Sequence, residues 1–143
     1  MLKALIDTNV LISAAYKSTG RSRELISRAV KGEFQPYVAN RSLLSARLRL
    51  EQIAPERVDT FDKLIMDLIP RIIKDPTEEE ILKHAGQAAK PSDVYIVAAA
   101  IAYTCQYIVT WNTKDCLQDK IKGVKIVNPH EFIEILNTGK NKL

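Results

Sequence analysis

Short apolar runs alternate with longer amphipathic segments along this chain. Five runs are short and apolar enough to be strands buried in a sheet, namely residues 2–6, 34–39, 71–74, 107–110 and 124–127. Apolar residues elsewhere recur three or four positions apart, which predicts helices over residues 10–16, 21–31, 42–52, 55–68, 77–88, 91–103 and 129–136. Strands separated by helices are typical of a parallel sheet that is covered on both faces.

Local signals mark several of the predicted helix ends. Gly32 closes the helix over residues 21–31, and Asn40 is suited to cap the N-terminus of the next helix. Thr77 followed by Glu80 is a capping-box pattern, in which each side chain binds the backbone N–H group of the other residue. These signals agree with the apolar periodicity and support the same division of the chain.

The length of the chain bounds its domain organisation. A chain of 143 residues fits one domain with one core, and it contains no internal repeat or linker. We therefore expect a single domain over residues 1–137 and a flexible tail over residues 138–143. No apolar run is long enough to span a membrane, the start does not resemble a signal peptide, and two cysteines form no disulfide framework. These features predict a cytoplasmic protein that has no membrane partner.

The charge of the chain adds a modest signal. The formal net charge is +4 and the pI is about 9.1, which permits a polyanionic partner such as nucleic acid. Arg21, Arg23 and Arg47 lie in two basic segments and are candidates for such contacts, although each one alone is better explained as part of a solvated helix face. Only two histidines and two cysteines are present, which makes a zinc site built from those residues improbable.

Polar side chains follow the strands at the edge where a parallel sheet would gather them. Asp7 comes directly after the first strand, and Asn112 and Asp115 follow the strand over residues 107–110. Asp93 opens a strongly apolar helix, whose burial would bring that end close to the sheet. Ligands of open α/β sheets bind beyond the carboxyl ends of the strands, so these four residues are the first candidates for a site.

A hard cation would offset the repulsion among several carboxylates in one crevice. Carboxylates that share a site repel one another and raise each other's pKa. Mg²⁺ and Mn²⁺ prefer oxygen ligands, and such an ion could polarise a phosphodiester and activate a water molecule. Each residue also has a purely structural interpretation: a helix cap for Asp7 or Thr8, a helix first turn for Asp93, and a turn for Asn112 or Asp115.

Four stretches of the chain resemble the motifs of PIN domains, a family that includes the VapC-like toxins of toxin–antitoxin pairs. They are residues 4–14 around Asp7, residues 92–100 around Asp93, residues 107–115 before and including Asp115, and the closing strand and helix at residues 124–132. The likeness extends over nearly the whole chain, to about Leu136. It implies a PIN-like three-layer α/β/α fold with a central parallel five-stranded sheet.

The resemblance also implies a function, a ribonuclease that depends on Mg²⁺ or Mn²⁺. Asp7, Asp93 and Asp115 would be the catalytic, metal-binding acids, and Asn112 would bind the ion or orient a water molecule. Hydrogen bonds from a second group of residues would hold these carboxylates in place. That group consists of Thr8, Asn9 and Thr110.

The expected partners likewise come from the resemblance. Such toxins cut RNA, pair with an antitoxin protein and commonly form homodimers. The apolar face of the helix over residues 55–68 is a candidate for such contacts, although packing within the chain explains it equally well.

One position departs from the family pattern. Relatives usually carry a glutamate in the helix after the second strand, where residues 43–47 of this chain read Leu-Leu-Ser-Ala-Arg. Neither Ser45 nor Ala46 supplies a carboxylate. Glu51 lies one to two turns further along the helix, and Glu24 would substitute only if the early helix folds over the crevice.

This departure keeps a second function open beside the ribonuclease, a PIN domain that binds RNA or an antitoxin without cleavage. A third possibility is a phosphatase of the haloacid-dehalogenase type, which also begins with an aspartate after the first strand. Those domains need a second aspartate two residues later, where this chain has Asn9. We therefore rank the phosphatase far below the other two functions.

Overall fold

The computed structural model describes residues 1–68 and 71–141 of the chain. The strands in those residues are β1 (Lys3–Ile6), β2 (Gln35–Ala39), β3 (Ile72–Ile73), β4 (Tyr107–Val109) and β5 (Lys125–Val127). All of them pair in parallel, in the order β3-β2-β1-β4-β5. The helices are α1 (Thr8–Tyr16), α2 (Arg21–Val30), α3 (Asn40–Ile53), α4 (Val58–Met66), α5 (Glu78–Lys83), α6 (Val94–Ala102) and α7 (Pro129–Asn141).

The central strand β1 supplies core residues to both faces of the sheet, because successive side chains of a strand point to opposite sides. Ala4 and Ile6 pack in a cluster with residues of α1, α2, α3, α4 and α7. Leu5 packs in a second cluster with residues of α6 on the other face. The predicted α/β fold, a parallel five-stranded sheet between helical layers, is confirmed.

The capping box predicted at the start of α5 is confirmed. The Thr77 hydroxyl accepts from the Glu80 N–H at 3.2 Å, and the Glu80 carboxylate accepts from the Thr77 N–H at 3.0 Å. The helix ends at Lys83, earlier than the periodicity predicted. The chain turns there through Gly86, whose φ of 86° is outside the helical region.

The prediction that Asn40 caps α3 is wrong. Asn40 is the first residue of the helix, and Ala39, the last residue of β2, occupies the capping position without a side-chain bond. Asp75, from the loop after β3, accepts the Arg41 N–H at 2.7 Å and so satisfies a donor in the first turn. The cap is therefore supplied from a distant segment, which no local pattern could indicate.

Two further expectations concern the later helices. The apolar face of α4 packs into the chain's own core, with Phe61 and Ile65 buried. Helix α7 continues to Asn141, into the segment expected as a tail, while residues 142 and 143 lie outside the described residues. Among the described helices, none combines the length and the apolar character needed to cross a membrane.

Candidate active site

The order of the strands reverses between β1 and β4, at the centre of the sheet. At such a switch point the loops after the two strands run in opposite directions and leave a crevice. Asp7 follows β1 and Thr110 follows β4, and the Asp7 N–H donates to the Val109 carbonyl at 3.0 Å. Both loops therefore begin side by side at the crevice.

Both carboxylate oxygens of Asp7 accept hydrogen bonds. Oδ1 accepts from the Thr8 N–H at 2.7 Å and caps α1, and Oδ2 accepts from the Thr110 hydroxyl at 3.0 Å. Asp7 therefore does cap the helix, as the structural interpretation predicted, but the capping bond involves only one of the two carboxylate oxygens. Each oxygen retains lone-pair capacity for a further ligand, in an orientation fixed by the two bonds.

Thr110 is fully buried and connects the two loops of the crevice. Its hydroxyl accepts from Asn9 Nδ2 at 3.0 Å and from the Asn112 N–H at 3.1 Å while it donates to Asp7. These bonds use the one proton and both lone pairs of the hydroxyl. Asn9 is held in turn, because its Oδ1 accepts from the Trp111 N–H at 2.9 Å. The network orients the Thr110 hydroxyl toward Asp7.

Backbone contacts position Asp93 and Asp115. Asp93 ends the short 3₁₀ turn Pro91–Asp93, and its side chain makes no capping bond to the described start of α6. The segment before that turn is joined to the loop of Asp115 by an antiparallel bridge between Ala88 and Cys116. In the same contact, the Ala89 N–H donates to the Asp115 carbonyl at 2.7 Å. The two aspartates are thus brought together by segments that pair with each other.

One open pocket of about 450 Å³, the acid pocket, collects the three aspartates. Its lining consists of Asp7, Thr8, Asn9, Ile12, Arg41, Ser45, Ser92, Asp93, Tyr95 and Asp115. Within the described part of the chain, no three histidine, cysteine, aspartate or glutamate side chains are grouped closely enough to hold a metal ion. The fold therefore gathers the acids in one pocket without closing them into a ligand set.

The pKa values of two aspartates of the acid pocket, Asp7 and Asp93, are raised. Burial raises the pKa of Asp7 above its ordinary value, the bonds from Thr8 and Thr110 oppose this, and the charges of Asp93 and Asp115 raise it further. The pKa of Asp93 is raised by burial and then by the charge of Asp115, against the lowering effect of a nearby lysine. Like charges at one site act in this direction, and an all-oxygen set of donors fits a hard divalent cation.

The two cysteines are buried, as expected of small core residues. Burial raises the pKa of the Cys105 thiol to about 11. Burial, together with the three aspartates, raises the pKa of the Cys116 thiol to about 12. Both thiols therefore remain protonated near neutral pH, which makes them poor nucleophiles.

Helix α3 forms the wall of the acid pocket where relatives usually carry a glutamate. Ser45 lines the pocket, whereas Ala46 is fully buried in the core. The position that faces the site is therefore that of Ser45. Neither Glu24 nor Glu51, the two possible substitutes, is among the described residues that line the pocket.

Five of the predicted site residues are not among those that line the acid pocket. Thr110 is one of them, because it is fully buried and acts through its bond to Asp7. Asn112 is exposed, and its contribution to the network comes from its backbone. The predicted RNA-binding arginines each have another partner. Arg21 pairs with Glu24 at 3.1 Å, Arg23 Nε donates to the Ala14 carbonyl at 2.6 Å, and Arg47 pairs with Asp62 at 3.0 Å.

Arg41 and Tyr95 are among the pocket residues that the sequence analysis did not assign to a site. Arg41 is four residues before Ser45 on the same helix, a spacing that places both on one face and that could have indicated it. Tyr95 was expected only as a core residue, and it is indeed buried. Its hydroxyl nevertheless reaches the pocket, 2.9 Å from Ser42 Oγ and 3.4 Å from Thr8 Oγ1.

A parallel sheet with aspartates gathered at its switch point is the arrangement that the motif resemblance led us to expect of a PIN-type domain. The profile of the PIN domain family matches residues 3–114 of the chain. The chain therefore belongs to the PIN domain family, whose members are generally nucleases that use divalent metals.

Solved structures share this fold at low sequence identity. PAE2754 from Pyrobaculum aerophilum is 17% identical, with a TM-score of 0.68 over 96% of this chain and 90% of that chain. FitAcB from Neisseria gonorrhoeae is 19% identical, with a TM-score of 0.63 over 89% of this chain and 98% of that chain. VapBC2 from Rickettsia felis, bound to a DNA fragment from its promoter, is 15% identical, with a TM-score of 0.62 over 89% and 98%. A search of curated proteins by sequence gave no match.

Proposed function

We propose that this protein is a metal-dependent endoribonuclease and the toxin of a toxin–antitoxin pair. The observation that carries the proposal is that three aspartates from three separate segments line one pocket at the switch point of the sheet. The electrostatics of the pocket support it, because burial and the charges of neighbouring aspartates raise the pKa of both Asp7 and Asp93. Without a cation, ionisation of Asp7 and Asp93 is therefore disfavoured.

Asp7, Asp93 and Asp115 would hold Mg²⁺ or Mn²⁺ in this function. When bound, the ion would supply a Lewis acid that polarises a phosphodiester and lowers the pKa of water. Asp7 contributes a carboxylate whose orientation is fixed by Thr8 and Thr110. The segments that carry Asp93 and Asp115 are joined by backbone contacts at Ala88 and Ala89, which would leave the two carboxylates able to adjust to the ion.

The proposal includes RNA as the substrate and a cytoplasmic antitoxin as the partner. VapBC and FitAB proteins share the fold, and the sequence motifs resemble those of VapC-like toxins. A homodimer is part of the same proposal. Helix α3 offers a surface for a protein partner, because Leu44, Leu48 and Ile53 are exposed on it.

Substitution of Asp7 by Asn tests the proposed function. The amide keeps the shape of the side chain but removes the charge, so we expect cleavage of RNA with Mg²⁺ or Mn²⁺ to fall by about 100-fold or more. Gel analysis of labelled RNA gives the rate. The matched control is Asp119→Asn, which removes a carboxylate from an exposed 3₁₀ turn outside the pocket. Equal cleavage by wild type and Asp7→Asn would refute the proposal.

A specific observation favours a second candidate function, a PIN domain that binds RNA or an antitoxin without cleaving RNA. Ser45 faces the acid pocket in place of an acid, and the described residues contain no closed set of metal ligands. This candidate predicts that the wild type binds RNA with either ion present but leaves it intact. The cleavage assay above therefore separates the two functions directly.

A further inference from the structure

Helix α3 carries one basic side chain into the acid pocket. Arg41 lies in the first turn of the helix, and Ser45 follows it one turn later in the same lining. The pocket therefore combines three carboxylates with a guanidinium. An anionic ligand such as a phosphodiester is repelled by the aspartates, so any cationic group in the pocket has a strong effect on whether that ligand can bind.

Arg41 is held in place by an aromatic ring. Its guanidinium carbon lies 4.7 Å from the centroid of the Tyr95 ring, which is within the range of cation–π attraction. The ring is fixed in turn, because Tyr95 is 7% exposed and its hydroxyl lies 2.9 Å from Ser42 Oγ. The backbone of Arg41 is anchored at Asp75. The ring contact positions the guanidinium without using its in-plane N–H donors.

Three other arginines form ion pairs with carboxylates, and among the described residues Arg41 does not. Arg21, Arg28 and Arg47 each pair with a carboxylate at 3.0–3.1 Å. Across residues 1–68 and 71–141, by contrast, no carboxylate forms an ion pair within 4.0 Å of Arg41, although three aspartates line the same pocket. Its donors therefore remain available to a ligand.

We propose that Arg41 is a phosphate-binding residue, which holds the non-bridging oxygens of an RNA phosphodiester against the acid pocket. The planar guanidinium suits paired hydrogen bonds to phosphate oxygens. Ser45 is part of the same arrangement, because a glutamate there would lie one turn from Arg41 and would pair with it. The inference rests on the proposed function only in taking RNA as the ligand, and it concerns binding, which can be measured without cleavage.

The test measures binding of a labelled single-stranded RNA oligonucleotide to the full chain, by fluorescence anisotropy, with a chelator present so that no RNA is cut. We expect Arg41→Ala to weaken binding by about tenfold, the loss of one or two charge-assisted hydrogen bonds. We also expect the slope of log affinity against log salt concentration to fall by about 0.7, because one phosphate contact is lost. Arg41→Lys keeps the charge, so it should retain the slope and recover only part of the affinity.

The matched control is Arg49→Ala, which removes the same charge from an exposed position of α3 outside the pocket lining. It should change affinity by less than about twofold, in the range of an isolated surface charge. If Arg41→Ala and Arg49→Ala have equal effects, the inference is wrong, even if Asp7→Asn abolishes cleavage. Wild-type protein that binds no RNA, with or without metal, would also overturn it. If the wild type never cleaves RNA but Arg41→Ala still weakens RNA binding, the result supports the inference and counts only against the proposed nuclease activity.

Discussion

The wall of the acid pocket built from β1 and β4 is dense in hydrogen bonds, whereas the wall built from α3 carries a charged group that is held mainly by a ring. On the first wall, Asp7, Asn9 and Thr110 bond to one another and to the backbone. On the second, Arg41 rests on Tyr95 and keeps its donors unpaired among the described residues. The comparison indicates a division of roles, with a fixed carboxylate, that of Asp7, on one wall and an available cation on the other.

Among the variants that test this comparison, the largest effect is expected from Thr110→Val, which tests whether the β1 and β4 wall depends on its hydroxyl. Valine keeps the shape of the fully buried side chain but leaves Asn9 and the Asn112 N–H without their acceptor. We expect a loss of about 1–3 kcal/mol in the free energy of unfolding, measured by denaturant titration. Cleavage should fall by about 10- to 100-fold, as is typical when a group that orients a metal ligand is lost.

Thr110→Ser is the matched control for that change, because it keeps the hydroxyl and removes only a methyl group. It should retain most of the cleavage rate with either ion. If Thr110→Ser and Thr110→Val reduce cleavage equally, the hydroxyl network does not position Asp7. The role assigned to the β1 and β4 wall would then be wrong.

The first wall is also the part of the site that could be predicted from the sequence. Asp7 and Thr110 directly follow strands, and the order of a parallel sheet brings strand ends to one edge. Asp93 lies outside that wall, but it could be placed near the same edge because the apolar helix that it opens must lie against the sheet. What could not be predicted is the bridge between Ala88 and Cys116, which brings the loop of Asp115 to Asp93. Such a contact between two irregular segments leaves no periodic signal.

A smaller effect, but a more discriminating one, is expected from Ser45→Glu on the α3 wall. The new carboxylate would lie one turn from Arg41, pair with it, and add a fourth negative charge near the RNA phosphate. We therefore expect RNA affinity without metal to fall by about tenfold, as in Arg41→Ala, and the double variant to lose less affinity than the two single losses combined. Anisotropy with the same oligonucleotide measures it.

The cleavage rate of Ser45→Glu is also informative, because the glutamate would restore the acid that relatives usually carry. A gain in cleavage would support a site weakened by the loss of that acid, and it would contradict the role assigned to Arg41 if RNA affinity did not change. Ala46→Glu cannot serve the same purpose, since Ala46 is fully buried and a charge there would disrupt the core. The control is Ser45→Gln, which adds nearly the same volume without the charge.

The second wall shows why basic residues were harder to assign than acids. Arg47 was a candidate for RNA contact from its place in a basic segment, and Arg41 was not. In the structure Arg47 lies between Glu51 and Asp62, while Arg41 enters the pocket. The choice between them depends on α4, which brings Asp62 to α3 from another part of the sequence. Charge composition alone carries no information about such pairing.

The smallest effect is expected from Arg47→Ala, which tests whether the contrast between the two arginines of α3 holds in solution. Arg47 pairs with Asp62 at 3.0 Å in a half-exposed position, and this contact holds the pKa of Asp62 below its ordinary value. We expect RNA affinity within about twofold of wild type, and a slight loss of thermal stability at low salt that disappears at high salt. Anisotropy and thermal melts at two salt concentrations measure both effects. A loss of RNA affinity as large as that in Arg41→Ala would mean that RNA displaces Asp62 from Arg47, and availability in the free protein would then no longer distinguish the two arginines.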